Sequence, residues 1–334
     1  MADDLARIGA STLFTVASAR IGGPAELAAF SGGAAVQADD TMALEYSGPR
    51  AVNSDARDRN RAALAQVRAA VASRGADDAR APASDWRARG TMMLAAEAFD
   101  TAARDFERAL TLEPSDVEAA RGYVRASVAT GRQAAALTRL QAVAASAPQA
   151  AAPRIALSML YAGTGRANDA VQSALDACRA GQPTAAAFEQ AASVYADVGD
   201  ARNLDGVVGT MQSLFPDDRA TVYYSAVVRF MSGDLAGALA LAQRAAGIDA
   251  RYAPAFNLLG AVHASEGRTQ AAREAFLRAQ ALDRRDVSVY TNLARLELSG
   301  GNRADAARLF TEALTLDPRS DAVRQELQAI GDRR

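Results

Sequence analysis

Six glycines, Gly131, Gly165, Gly199, Gly233, Gly267 and Gly301, follow one another at intervals of 34 residues. At a background glycine frequency of roughly 7%, six hits in one register arise by chance about once in ten million. A chain with this period folds as stacked copies of one small unit, because a unit that thin cannot bury its own apolar face and is completed by its neighbour. The period is that of a helix–turn–helix pair. Composition points the same way: half of the 334 residues are apolar, only 6% are aromatic, and alanine, the strongest helix former, is abundant.

Counting outward from the glycines yields seven consecutive repeats, which begin at Ala83, Val117, Ala151, Ala185, Arg219, Ala253 and Val287 and close at Ser320. The first and the last two repeats carry the fullest pattern. Position 4 is aromatic (Trp86, Phe256, Tyr290) and position 8 is small (Gly90, Gly260, Ala294). Position 20 is alanine (Ala102, Ala272, Ala306), position 24 is phenylalanine (Phe106, Phe276, Phe310) and position 27 is alanine (Ala109, Ala279, Ala313). Prolines such as Pro114 and Pro318 stand at position 32. This pattern resembles the tetratricopeptide repeat family. The resemblance implies an all-α, right-handed α-solenoid of seven helix pairs over residues 83–320.

The residue types have mechanical reasons. Antiparallel helices approach closely only where one presents a small side chain, which is the place of Ala102, Ala136, Ala170, Ala238, Ala272 and Ala306. Each recurring glycine ends a first helix, and Pro114, Pro148, Pro216 and Pro318 stop second helices. In the fourth repeat Leu204 and Met211 replace the small residues at positions 20 and 27, so that pair is expected to stand further apart, with Phe215-Pro216 marking a change of curvature or a soft spot. Residues 321–334 read as a capping helix, with Val323, Leu327 and Ile330 on one face.

The first eighty residues do not fit the repeat. Gly22-Gly23-Pro24, Gly32-Gly33 and Gly48-Pro49 divide them, Ala43 to Tyr46 reads as a brief strand, and Leu64, Val67 and Val71 mark an amphipathic helix from Asp55 to Ser73 that leads through a polar linker into the array. The stretch from Val36 to Arg50, with Asp39-Asp40 ahead of the strand and Pro49-Arg50 after it, resembles the end of the spermidine-synthase-like domain of some bacterial multidomain proteins, in which tetratricopeptide repeats follow. On that resemblance residues 1–52 are a domain remnant, residues 53–82 a helix and linker, and the chain is the C-terminal piece of a larger enzyme. That enzyme's cofactor and catalytic residues fall upstream of the matching segment, so no position here inherits them.

Net charge of −2 excludes broad attraction to nucleic acid or anionic membrane, and every basic residue is arginine. No apolar run is long enough to span a bilayer, and the acidic start Met1-Ala2-Asp3-Asp4 is unlike a secretory signal, so a soluble, cytoplasmic chain is expected, with tethering to a membrane only through an upstream domain. A single cysteine, Cys178, and a single histidine, His263, exclude an internal disulfide, a multi-histidine metal site and a histidine-dependent triad that needs a second histidine. Both read as packing residues. No strand followed by a glycine-rich cofactor turn, no phosphate-binding loop and no basic stripe with interleaved aromatics occurs. The chain is expected to need no cofactor and to catalyse nothing.

In the tetratricopeptide family the first helix of each pair lines the concave side, with positions 2, 5, 9 and 12 exposed. Here those positions hold Arg87, Arg121 and Arg125, then Ile155 and Met159, then Tyr223, Val227 and Phe230, then Asn257 and Arg295. Arginines at one end and aromatics in the middle suit a partner peptide or helix that carries acidic and apolar residues. The lysine and asparagine pairs used by chaperone-tail clamps are missing at positions 5 and 9, which argues against that ligand. The resulting expectation is a protein-interaction scaffold; the alternative is the regulatory or interaction part of a spermidine-synthase-like protein.

Overall fold

The computed structural model describes residues 81–318 and 320–331. The expected strand at 43–46, the helix at 55–73, Asp39, Asp40 and the spermidine-synthase-like stretch lie outside the described residues. The chain divides into two compact units, one ending at Gln182 and the other beginning at Pro183.

The first unit contains three helix pairs: α1 (Ala83–Ala95) with α2 (Phe99–Leu112), α3 (Val117–Ala129) with α4 (Gln133–Ser146), and α5 (Ala152–Gly163) with α6 (Ala167–Arg179). The second contains four: α7 (Ala185–Asp197) with α8 (Ala201–Leu214), α9 (Arg219–Met231) with α10 (Leu235–Ile248), α11 (Ala253–Ser265) with α12 (Thr269–Leu282), and α13 (Val287–Ser299) with α14 (Arg303–Leu316). A last helix, α15 (Asp321–Gly331), follows. Among the described residues there is no strand. Six of the seven first helices start on the residue the glycine register implies, and α5 starts one later, at Ala152.

Local chemistry sets these boundaries. Asp116, Thr184, Asp218 and Asp286 cap first helices by accepting a backbone N–H, and Asp200 and Asp234 do so for second helices. Each first helix then closes on a left-handed residue. At Gly131, φ is +69°; the Gly131 N–H donates to the Val128 carbonyl at 3.1 Å and the Arg132 N–H to the Ser127 carbonyl at 2.8 Å, the paired bonds of a Schellman cap. The same pair recurs at each of the other five glycines and, in the first repeat, at Glu97, the one non-glycine residue with positive φ among the described residues (+59°).

Packing follows the small residues. Ala102, Ala136, Ala170, Ala238, Ala272 and Ala306 are all 1% exposed or less, at the crossings of their pairs. Where position 8 is glycine, the partner's ring takes its place: a Cβ on Gly260 would stand 2.4 Å from the Phe276 ring, and one on Gly90 2.9 Å from the Phe106 ring. The α7–α8 backbones approach less closely than those of five other pairs, as Leu204 and Met211 imply, both being fully buried. The α3–α4 pair is more open still. There position 8 is Val124, where the other repeats hold glycine, alanine or serine. At the C-terminus Val323 is buried, and Leu327 and Ile330 pack against the cluster around Leu293 and Phe310, so α15 covers the last pair.

Candidate partner-binding surface

In the first unit the first-helix arginines differ in freedom. Arg87 is drawn toward the start of α3, its Nη1 donating to Asp116 Oδ2 at 3.1 Å while Asp116 Oδ1 accepts from the Ala119 N–H. Arg121 lies 3.6 Å from Glu118 on its own helix. Arg125 is exposed, and no ion pair joins it to the described residues. Met159 is half-buried. Ile155 corrects the expectation: it is 0% exposed and belongs to the core. Its helix α5 packs directly on α3, and an isoleucine in such a seam is covered rather than presented.

In the second unit Tyr223, Val227 and Phe230 are all half-buried along one side of α9 and pack on the cluster around Ala226 and Leu258. The Tyr223 ring stands edge-on to Tyr224 and Tyr252, with centroids 4.9 and 5.4 Å apart. Asn257 Nδ2 donates to Ser288 Oγ at 2.9 Å and its Oδ1 accepts from Asn292 Nδ2 at 3.0 Å, joining α11 to α13. Arg295 is bound to both carboxylate oxygens of Glu326 on the capping helix, its Nε at 3.1 Å from each. Asn257 and Arg295 therefore already have partners within the fold.

Carboxylates on this side escaped the reading of positions 2, 5, 9 and 12. Surrounding protein displaces water from Asp197 and, together with the nearby charge of Asp286, raises its carboxyl to about 6. The Tyr223 hydroxyl is pushed up first by burial and then by Asp286, Asp197 and Glu189. Around Tyr223 the field is therefore acidic. Glu189, at position 5 of its repeat, was open to discovery from the register. Asp197 lies one residue past position 12, and Asp286 is 89 positions further along the chain, so only the fold brings them near each other.

A buried ion pair also went unseen in the sequence. Arg89 Nε donates to Asp105 Oδ2 at 2.7 Å between α1 and α2, Arg89 Nη2 bonds Oδ1, and the guanidinium lies over the Trp86 ring at 4.4 Å. Cys178 is half-buried, and burial pushes its thiol up to about 11 against a small opposing effect of Arg179, which makes it a poor nucleophile. His263 sits 3.6 Å from Glu266 on its own helix. Among the described residues no cluster of three or more acidic, histidine or cysteine side chains is placed to hold a metal ion, and no helix is long and apolar enough to cross a membrane.

Tetratricopeptide repeat family models match residues 93–152 and 253–286, one stretch in each unit. A tetratricopeptide repeat protein from Parabacteroides merdae ATCC 43184 is similar at a TM-score of 0.54 and 10% identity, over 74% of this chain and 98% of that one. The Cut9–Hcn1 hetero-tetramer of the APC/C is similar at 0.51 and 16%, over 83% of this chain, which spans 59% of that one. A thermophilic tetratricopeptide repeat protein of Thermus thermophilus is similar at 0.48 and 20%, over 54% of this chain and 98% of that one. No curated protein matches the sequence. The fold is thus a helical array of the tetratricopeptide type, and repeats of this kind generally mediate protein–protein interaction.

Proposed function

We propose that this chain is a protein-interaction module that holds a partner along its first-helix faces. In the first unit the arginines receive an acidic segment, with Arg125 as the principal contact and Arg87 and Arg121 beside it. In the second unit the strip formed by Tyr223, Val227 and Phe230 receives an apolar one. The observation that supports this most is that strip: three large apolar side chains at i, i+4 and i+7 of α9 keep contact with solvent while Val222, Tyr224 and Ala226 of the same helix are buried. The neighbouring carboxylates Glu189, Asp197 and Asp286 refine the expected ligand, since acidic flanks would be repelled there while neutral or basic ones are accepted.

The test is partner capture from the native host with the full chain and two variants, Arg121→Glu with Arg125→Glu, and Val227→Glu. Each should lose the partner while keeping the melting temperature. Capture that survives both variants would remove the proposal.

A further inference from the structure

The seam between α8, α9 and α10 departs from the packing elsewhere in the second unit. At position 24, α12 and α14 insert Phe276 and Phe310, and α10 has Ala242 backed by Leu258 and Leu259 of the next helix. In α8 that position is Val208. At position 4, α7, α11 and α13 carry Phe188, Phe256 and Tyr290, whereas α9 carries Val222. Two rings are therefore missing from one seam, and both valines line the open groove of about 860 Å³ that results.

The groove wall is polar where its counterparts are aliphatic. Positions 3 and 7 are Ala255 and Leu259 in α11 and Val289 and Leu293 in α13, but Thr221 and Ser225 in α9. Gln212 Nε2 donates to Ser225 Oγ at 2.9 Å across the seam, and Ser225 Oγ donates to the Thr221 carbonyl at 2.8 Å. Thr221 is 1% exposed, lines the groove, and its hydroxyl has no hydrogen-bond partner. A buried hydroxyl in that condition is costly to keep. Around the groove stand Arg202, Arg229 and Arg244 against one lining carboxylate, Asp205. Arg229 and Arg244 reach only exposed partners, Asp234 at 3.5 Å and Asp217 at 3.1 Å, and such pairs exchange readily for a ligand's carboxylate.

We propose that this groove, separate from the first-helix faces, binds a peptide segment of a partner protein that carries an aromatic side chain flanked by carboxylates. The ring enters the space between Val208 and Val222, a backbone carbonyl of the segment accepts from the Thr221 hydroxyl, and the flanking acids pair with Arg202 and Arg244.

The test is selection of phage-displayed random peptides on the full chain, followed by affinity measurement of the enriched sequences. An aromatic residue with neighbouring Asp or Glu should dominate. Val208→Phe, which restores the ring found in the first, sixth and seventh repeats, should weaken those peptides about tenfold or more without lowering the melting temperature. Arg202→Glu with Arg244→Glu alters only surface charge and should cause a loss of the same size, so the test stands even if the filled variant folds poorly. Arg121→Glu with Arg125→Glu should leave the affinity unchanged, which separates this groove from the first-helix faces. No enrichment, a consensus lacking the ring or the acids, or equal binding by the groove variants would overturn the assignment.

Discussion

Replacing Glu97 by glycine should stabilise the first helix pair. Six of the seven residues in that register are glycine, at φ between +69° and +83°, and Glu97 adopts the same left-handed conformation at +59°. It closes the same cap, with the Glu97 N–H on the Leu94 carbonyl at 3.1 Å and the Ala98 N–H on the Met93 carbonyl at 2.9 Å. A residue with a Cβ pays about 1–2 kcal/mol for that conformation. Glycine removes this cost but frees the unfolded chain, which takes back about 0.4–1 kcal/mol. The expected net gain is about 0.5–1 kcal/mol. Repeat arrays unfold in parts, so a single melting curve blends the units. Hydrogen exchange of the α1 and α2 amides reads the site locally and should slow roughly two- to fivefold. The reverse substitution is the control. A Cβ on Gly199 or Gly267 meets nothing within 4 Å, so alanine there should cost about 0.5–1 kcal/mol through the backbone alone. Faster exchange in the Glu97→Gly variant, or an alanine cost above about 3 kcal/mol, would refute the backbone argument.

Three further outcomes follow from the packing and the charges. Gly260→Ala drives a Cβ to 2.4 Å from the buried Phe276 ring and should cost about 1–3 kcal/mol in a urea titration, whereas an unchanged midpoint would mean the ring yields freely. Asp105→Ala strands the Arg89 guanidinium, whose Nη1 already lacks a partner, and should cost about 3–5 kcal/mol; Arg89→Met with Asp105→Leu should cost much less, and equal losses would contradict the ion-pair account. The Asp197 carboxyl binds its proton more tightly in the folded state, at about 6 against an ordinary 3.8, so its charge lowers stability above that range and the penalty fades as pH falls through it. Asp197→Asn should therefore stabilise the chain at neutral pH by less than about 1 kcal/mol, discounted for solvent contact, and give nothing in acid; a gain that grows on acidification would reverse the sign.

The repeat register was legible because it is a matter of backbone and small side chains: six glycines 34 residues apart, alanine at six of the seven crossings, proline after four of the second helices. Position in the register names a face but not its depth, which is why Ile155 was expected on the surface and is buried. Contacts between repeats were hidden for a different reason. Arg295 meets Glu326, and Asn257 meets Ser288 and Asn292, across roughly thirty residues, and nothing in a single sequence pairs them. The Arg89–Asp105 pair occupies positions 7 and 23, which the family pattern leaves unassigned. Glu97 was masked by its side chain, since a charged residue in the glycine register reads as an interruption although the backbone makes the same turn.

The most direct test of partner binding along the first-helix faces is photo-crosslinking from p-benzoylphenylalanine placed singly at Val227 on α9 and at Leu277, which is 49% exposed on α12. With native-host extract, a defined partner adduct is expected from Val227 and not from Leu277. Adducts from Leu277 with none from Val227 would contradict the account.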